Sequence, residues 1–84
     1  MLNQENAIEI LNILGPFNGR RIRADIVRNN LNIRLVRPVS ETQFMDMIRE
    51  MKERGWVVQR VDDFGNELLG ITEEGQLIRE KNGQ

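Results

Sequence analysis

Met47-Ile48-Arg49-Glu50-Met51-Lys52-Glu53-Arg54-Gly55 runs directly into Trp56-Val57-Val58, and this junction sets the architecture of the chain. Apolar residues at helical spacing end at a glycine suited to a left-handed C-terminal cap, and aromatic and β-branched residues then take over. The second strand-like run, Glu67–Ile71, follows the turn sequence Asp62-Asp63-Phe64-Gly65-Asn66. Gly65-Asn66 offers the positive φ angles that hairpin turns use. Thr72 can then cap a last helix that places Glu73 and Glu74 in its first turn, where the helix dipole favours acids. The order is helix, glycine stop, hairpin, short capped helix.

Upstream of this block the third helix has a sharp beginning. Ser40 with Gln43 three residues on forms a capping box, Val39 can staple against Phe44, and Pro38 favours an extended entry. Phe44, Met47, Ile48 and Met51 make its buried stripe. The second helical segment is expected over Arg20–Asn30, with Ile22, Ile26 and Val27 as its apolar face. Beyond it, Leu31, Ile33 and Leu35 alternate with Asn32, Arg34 and Val36, a strand-like spacing in a connection of roughly Leu31–Val39. The first helix is capped by Asn3 or Asn6, buries Ala7, Ile10, Leu11 and Leu14 with Ile8 and Ile13 widening the stripe, and stops at Gly15-Pro16. Phe17-Asn18-Gly19 is a turn. In the last helix Leu77 and Ile78 are expected to face inward. Gly75 allows that helix to approach the hairpin closely, and residues 82–84 form a frayed tail. Phe64 at the hairpin tip either folds back on the strands or stands out as a contact residue.

The helix ending at Gly55, the hairpin and the I-T-x-x-G signal at Ile71–Gly75 resemble the C-terminal half of a winged helix-turn-helix domain. The resemblance covers nearly the whole chain in element order. It implies an α+β fold: a small winged helix, three helices, a two- or three-stranded β-wing and a short C-terminal helix, as one domain over residues 1–84. It departs from the simplest helix-turn-helix pattern in the length of the connection between the second and third helices.

The chain has 84 residues, no cysteine and no histidine. That composition removes disulfides, thiolate nucleophiles, imidazole bases and nearly all zinc chemistry. The glycines are not grouped as a phosphate-cradling loop, and Asp62, Asp63 and Glu67 lack the alternation of a calcium loop, so they read as a solvated turn. No enzyme activity, metal or cofactor is expected. The apolar runs are far short of a membrane span, and a cytoplasmic location is the default.

Charge is unevenly spread. Between Gly19 and Arg37 stand six arginines and one acid, a net +5, which leaves −6 for the rest of a chain whose total is −1. An all-arginine segment suits bidentate phosphate contacts, although the same residues can pair with the chain's own carboxylates. By the resemblance, the helix after Ser40 is the recognition helix, with outward positions Glu41, Thr42, Gln43, Asp46, Arg49, Glu50 and Glu53. Gln43 and Arg49 are the base readers it offers, with Thr42 on phosphate. Four carboxylates on that surface repel phosphates, and Arg60 is the only basic residue of the wing. The duplex is therefore expected to be anchored by Arg20, Arg21, Arg28, Arg34 and Arg37, with affinity that falls with salt. The expected partner is double-stranded DNA, bound by a homodimer acting as a transcriptional regulator or mobile-element accessory factor. The alternative is a protein-interaction module whose arginine segment meets an acidic partner. A third reading joins Met45 with Phe64 or Trp56 in an exposed seam for self-association.

Overall fold

A computed structural model describes residues 3–82. Its elements run α1 (Gln4–Leu14), a 3-10 turn (Gly15–Phe17), β1 (Ile22–Arg23), α2 (Ala24–Arg34), α3 (Glu41–Glu53), β2 (Val57–Val61), β3 (Glu67–Ile71) and α4 (Glu73–Asn82). The strands form one antiparallel sheet in the order β1-β3-β2. This is an α+β arrangement in which α1, α2 and α3 pack over one face of a small sheet.

Helix starts follow the sequence closely. Asn3, not Asn6, caps α1, its side chain accepting from the Asn6 amide at 3.1 Å. At α3 the Gln43 amide donates to Ser40 Oγ at 3.1 Å and the Ser40 amide to Gln43 Oε1 at 3.0 Å, completing the capping box. The Gly75 amide donates to Thr72 Oγ1 at 3.0 Å, while the Thr72 hydroxyl donates to the Gly55 carbonyl at 2.5 Å. One threonine thus caps α4 and ties it to the glycine that ends α3.

The core joins Ala7, Ile10, Leu11, Ile13 and Leu14 of α1 to Ala24, Val27 and Leu31 of α2. It is completed by Phe44, Met47, Ile48 and Met51 of α3 and by Val57, Leu69 and Ile71 of the sheet. The α1 and α3 stripes are those expected. Gly75 is where α4 closes on the hairpin: a Cβ there would lie 2.2 Å from the Trp56 carbonyl oxygen. Gln76 Nε2 donates to the Gly15 carbonyl at 3.0 Å, tying α4 to the end of α1.

Several expectations are corrected. The second helix starts at Ala24, and Ile22–Arg23 are a strand paired with Leu68 and Leu69. The helix continues to Arg34, so the strand-like alternation after Leu31 is not a strand. Ala24, Val27 and Leu31 share one helical face and are buried, whereas Ile26 is exposed and Ile33 is 82% exposed. The connection to α3 shrinks to residues 35–40. Asn32 holds it, its side chain accepting from the Val39 amide at 2.9 Å and donating to the Val39 carbonyl at 3.2 Å. Leu77 is 53% exposed, because Gly75 and Ile78 define the inner face of α4. Asn82 belongs to α4, while Gly83 and Gln84 of the expected tail lie outside the described residues. In the hairpin turn Gly65 alone has positive φ, at 82°. Asn66 instead donates from its amide (2.9 Å) and its Nδ2 (3.2 Å) to the Asp62 carboxylate.

Candidate nucleic-acid interface

Six arginines that are near neighbours in sequence end up in three places. Arg34 turns toward α1, where its guanidinium meets Glu9 Oε1 at 3.0 Å. It lines, with Arg37, Ile8, Leu35 and Val36, a cleft of about 800 Å³ at the far end of α2. Arg28 lies in a second cleft between α2, the start of α3 and the wing, with Arg23, Asp25, Glu41, Met45 and Val61 in its walls. Its Nη1 donates to the Val39 carbonyl at 3.4 Å. Arg20, Arg21 and Arg23 stand at the sheet. An α-helix rises about 1.5 Å per residue, so the 11 residues of α2 hold Arg34 about 16 Å from Arg23. The basic segment is therefore not one patch.

The self-pairing alternative is realised only in part. Arg23 pairs with Asp25 at 2.8 Å and Arg34 with Glu9, both at exposed positions where such pairs contribute little. Arg20, Arg21, Arg28, Arg37 and Arg60 have no carboxylate partner among the described residues.

On α3, Thr42 is exposed and unencumbered. Gln43 is exposed too, but its carbonyl oxygen is occupied by the capping box. Arg49 is ion-paired with Asp46 three residues before it. Glu41 and Glu53 are exposed and Glu50 is half-buried. A base reader taken from Gln43 or Arg49 must first leave an intramolecular partner.

The sheet register brings Arg60 to Arg23. Leu68 is opposite Arg23 of β1 and also opposite Arg60 of β2, so the three side chains share a face. Leu69, Val57 and Ile71 point the other way, into the core. Sequence alone does not single out Arg23, because a two-residue strand gives no alternation to detect. Its pairing with Arg60 depends on a contact made across more than 35 intervening positions.

The wing tip is tightly organised. Asp62 accepts from the amides of Phe64 (2.9 Å) and Asn66 (2.9 Å) as well as from Asn66 Nδ2. The Asn66 amide is the main reason its carboxyl sits below the ordinary aspartate range. Desolvation opposes the shift, while Asn66 Nδ2, the Phe64 amide and the charge of Arg23 add to it. Phe64 stands out at 90% exposure, which excludes the folded-back arrangement. Met45 and Trp56 are half-buried against the core, and Arg54 covers Trp56 with its guanidinium 5.3 Å from the ring centroid. Among the described residues no group of acids is disposed to hold a metal ion, and no helix is long and apolar enough to cross a membrane.

No protein-family model and no curated protein matches the chain. Solved structures do. A MarR-family transcriptional regulator from Rhodococcus sp. RHA1 superimposes with a TM-score of 0.72 at 24% identity, over 90% of this chain and 49% of that one. TA0346 from Thermoplasma acidophilum gives 0.78 at 19% identity, over 96% and 77% of the two chains. SSV1 F-93 gives 0.68 at 22%, over 90% and 78%. The chain spans about half the length of the MarR-family regulators it matches. The fold is that of a winged helix-turn-helix, with β2–β3 as its hairpin.

Proposed function

We propose that this chain is a DNA-binding winged-helix protein, a transcriptional regulator or an accessory factor of a mobile element. In this reading it works in the cytoplasm as a homodimer, without catalysis or cofactor. The observation that carries the reading is the set of arginines left without carboxylate partners, Arg20, Arg21, Arg28, Arg37 and Arg60, on a fold shared with transcriptional regulators. Guanidinium groups that are not neutralised internally are free for phosphate oxygens. Arg34 can join them if its exposed pair with Glu9 opens. Thr42 supplies a further phosphate contact, and Gln43 and Arg49 supply base contacts once released from their partners. The direct test is a gel-shift titration of a mixed-sequence duplex at low salt. A retarded complex at micromolar protein or below is expected, and its absence refutes the reading. Sedimentation of the free protein tests the homodimer, which a monomer at high concentration removes.

A second reading is favoured by the acids of α3. Glu41, Asp46 and Glu53 surround the only outward arginine of that helix, and such a surface suits a protein partner better than phosphate. In that case the arginines meet an acidic protein, and duplex DNA gives no shift at any salt concentration.

A further inference from the structure

The outer face of the sheet carries a different charge from α3. Along the strands its positions are Arg23 on β1, Leu68 and Gly70 on β3, and Val58 and Arg60 on β2, two arginines and no acid. Arg21, just before β1, extends the same face. A Cβ on Gly70 would come within 3.4 Å of Arg21 Cγ and 3.3 Å of Val58 Cγ2, so the stem of Arg21 lies over the bare backbone of β3. Arg23 is paired with Asp25, so Arg21 and Arg60 are the unpaired charges of this face; Asp62 is engaged by the amides of its own turn, and Glu41 and Glu67 line the cleft beside Arg23. The outward surface of α3 is different, since Asp46 neutralises Arg49 there and Glu41 and Glu53 have no cationic partner among the described residues.

We infer that the outer sheet face, with Arg21, Arg23 and Arg60 around Leu68 and Gly70, is the principal surface on which this protein holds the phosphate backbone of duplex DNA, with α3 at the margin of the contact. The inference rests on the DNA-binding reading above and names its surface. Strands are spaced about 4.8 Å, so β1 and β2 lie about 10 Å apart on either side of β3. That separation is wider than a single phosphate group, so one phosphate cannot serve both strands. Arginines on the two flanking strands can therefore grip separate phosphates while the low central ridge of Leu68 and Gly70 admits the backbone between them. The contact is electrostatic and indifferent to base sequence, which fits a face without amide side chains.

The test compares two double variants by fluorescence anisotropy with a labelled 20-base-pair mixed-sequence duplex, after urea unfolding has shown that both keep wild-type stability. R21Q/R60Q is expected to weaken binding at least tenfold and to reduce the slope of log K against log salt by about 2, one for each phosphate that is no longer neutralised. T42A/R49A, which removes the marginal contacts of α3, is expected to weaken binding by only about threefold and to change the salt slope by less than about 1. Labelled wild-type protein titrated with the same duplex gives a second readout, with shifts expected at residues 20–23, 58–60 and 68–70 ahead of residues 41–49. Weakening confined to T42A/R49A, equal weakening in both variants, or shifts centred on α3 overturn the inference while leaving DNA binding intact. Failure of the wild-type protein to bind the duplex defeats the DNA reading itself. Tighter binding to duplex RNA or to anionic vesicles than to DNA overturns the assigned partner.

Discussion

At the level of single residues, the glycines divide by what surrounds them. Gly75 has normal helical backbone but no room, since a Cβ would strike the Trp56 carbonyl at 2.2 Å and Ile71 Cγ1 at 2.8 Å. Alanine gains about 1 kcal/mol of helix propensity there and loses more by pushing α4 from the hairpin. Gly75→Ala is expected to destabilise the protein by about 1–3 kcal/mol, read from the urea midpoint. Gly65 is the opposite case: a Cβ meets nothing within 4 Å, but φ is 82°. Asp62 gives a pH signature. Its folded pKa is depressed, so its contribution to stability is present above the ordinary aspartate value and is lost as pH falls through the lowered one. Wild-type stability should fall below about pH 4 more steeply than that of Asp62→Asn, compared by urea midpoints from pH 5 to 2. Parallel pH profiles would show that the turn does not hold this carboxylate in solution.

For the elements, α2 is the informative case. A strand over Leu31–Leu35 would place Leu31, Ile33 and Leu35 on one face and make them equivalent, whereas the helix buries Leu31 completely and leaves Ile33 at the surface. Leu31→Ala is expected to cost about 2–5 kcal/mol. Ile33→Ala should change stability by no more than about 0.5 kcal/mol. Similar losses from the two variants would contradict the helix. The α3 capping box separates structure from recognition in the same way. Ser40→Ala is expected to cost about 1 kcal/mol. Gln43→Ala should lower stability more clearly than DNA affinity, because the carboxamide must leave the cap before it can read a base. Unchanged stability with a clear loss of affinity would reverse that assignment.

The whole molecule is a small body with a Cα radius of gyration of 11.7 Å, on which charges near each other in sequence are divided among the sheet, a cleft beside the wing and the far end of α2. If five arginines meet phosphates, affinity should drop about two to three orders of magnitude between roughly 50 and 200 mM salt. A flat salt response would instead mean that uncharged contacts dominate. Val36 is fully exposed and Ile33 nearly so at the α1–α2 end, while Phe64 projects from the wing.

Much of this fold is written locally. Ser40 and Gln43 lie within one helical turn, Gly55 sits between an amphipathic stripe and a β-branched run, and Thr72 precedes two acids and a glycine. Each of these signals is complete within a few residues, which is why three helix starts and both long strands are legible in the sequence with their caps. The winged-helix resemblance rests on that local grammar, and the solved structures share the fold. What only the tertiary structure decided involves partners far apart in the chain. Ile22–Arg23 become a strand because β3 offers an edge to pair with, and α2 continues through Leu31 because α1 and α3 provide a core for that face. The run of arginines has a single meaning by composition and three by position. Arg34 is turned to Glu9, Arg28 to a cleft beside the wing, and Arg23 to a row with Arg60, because where a charge can act depends on the surface to which the fold delivers it.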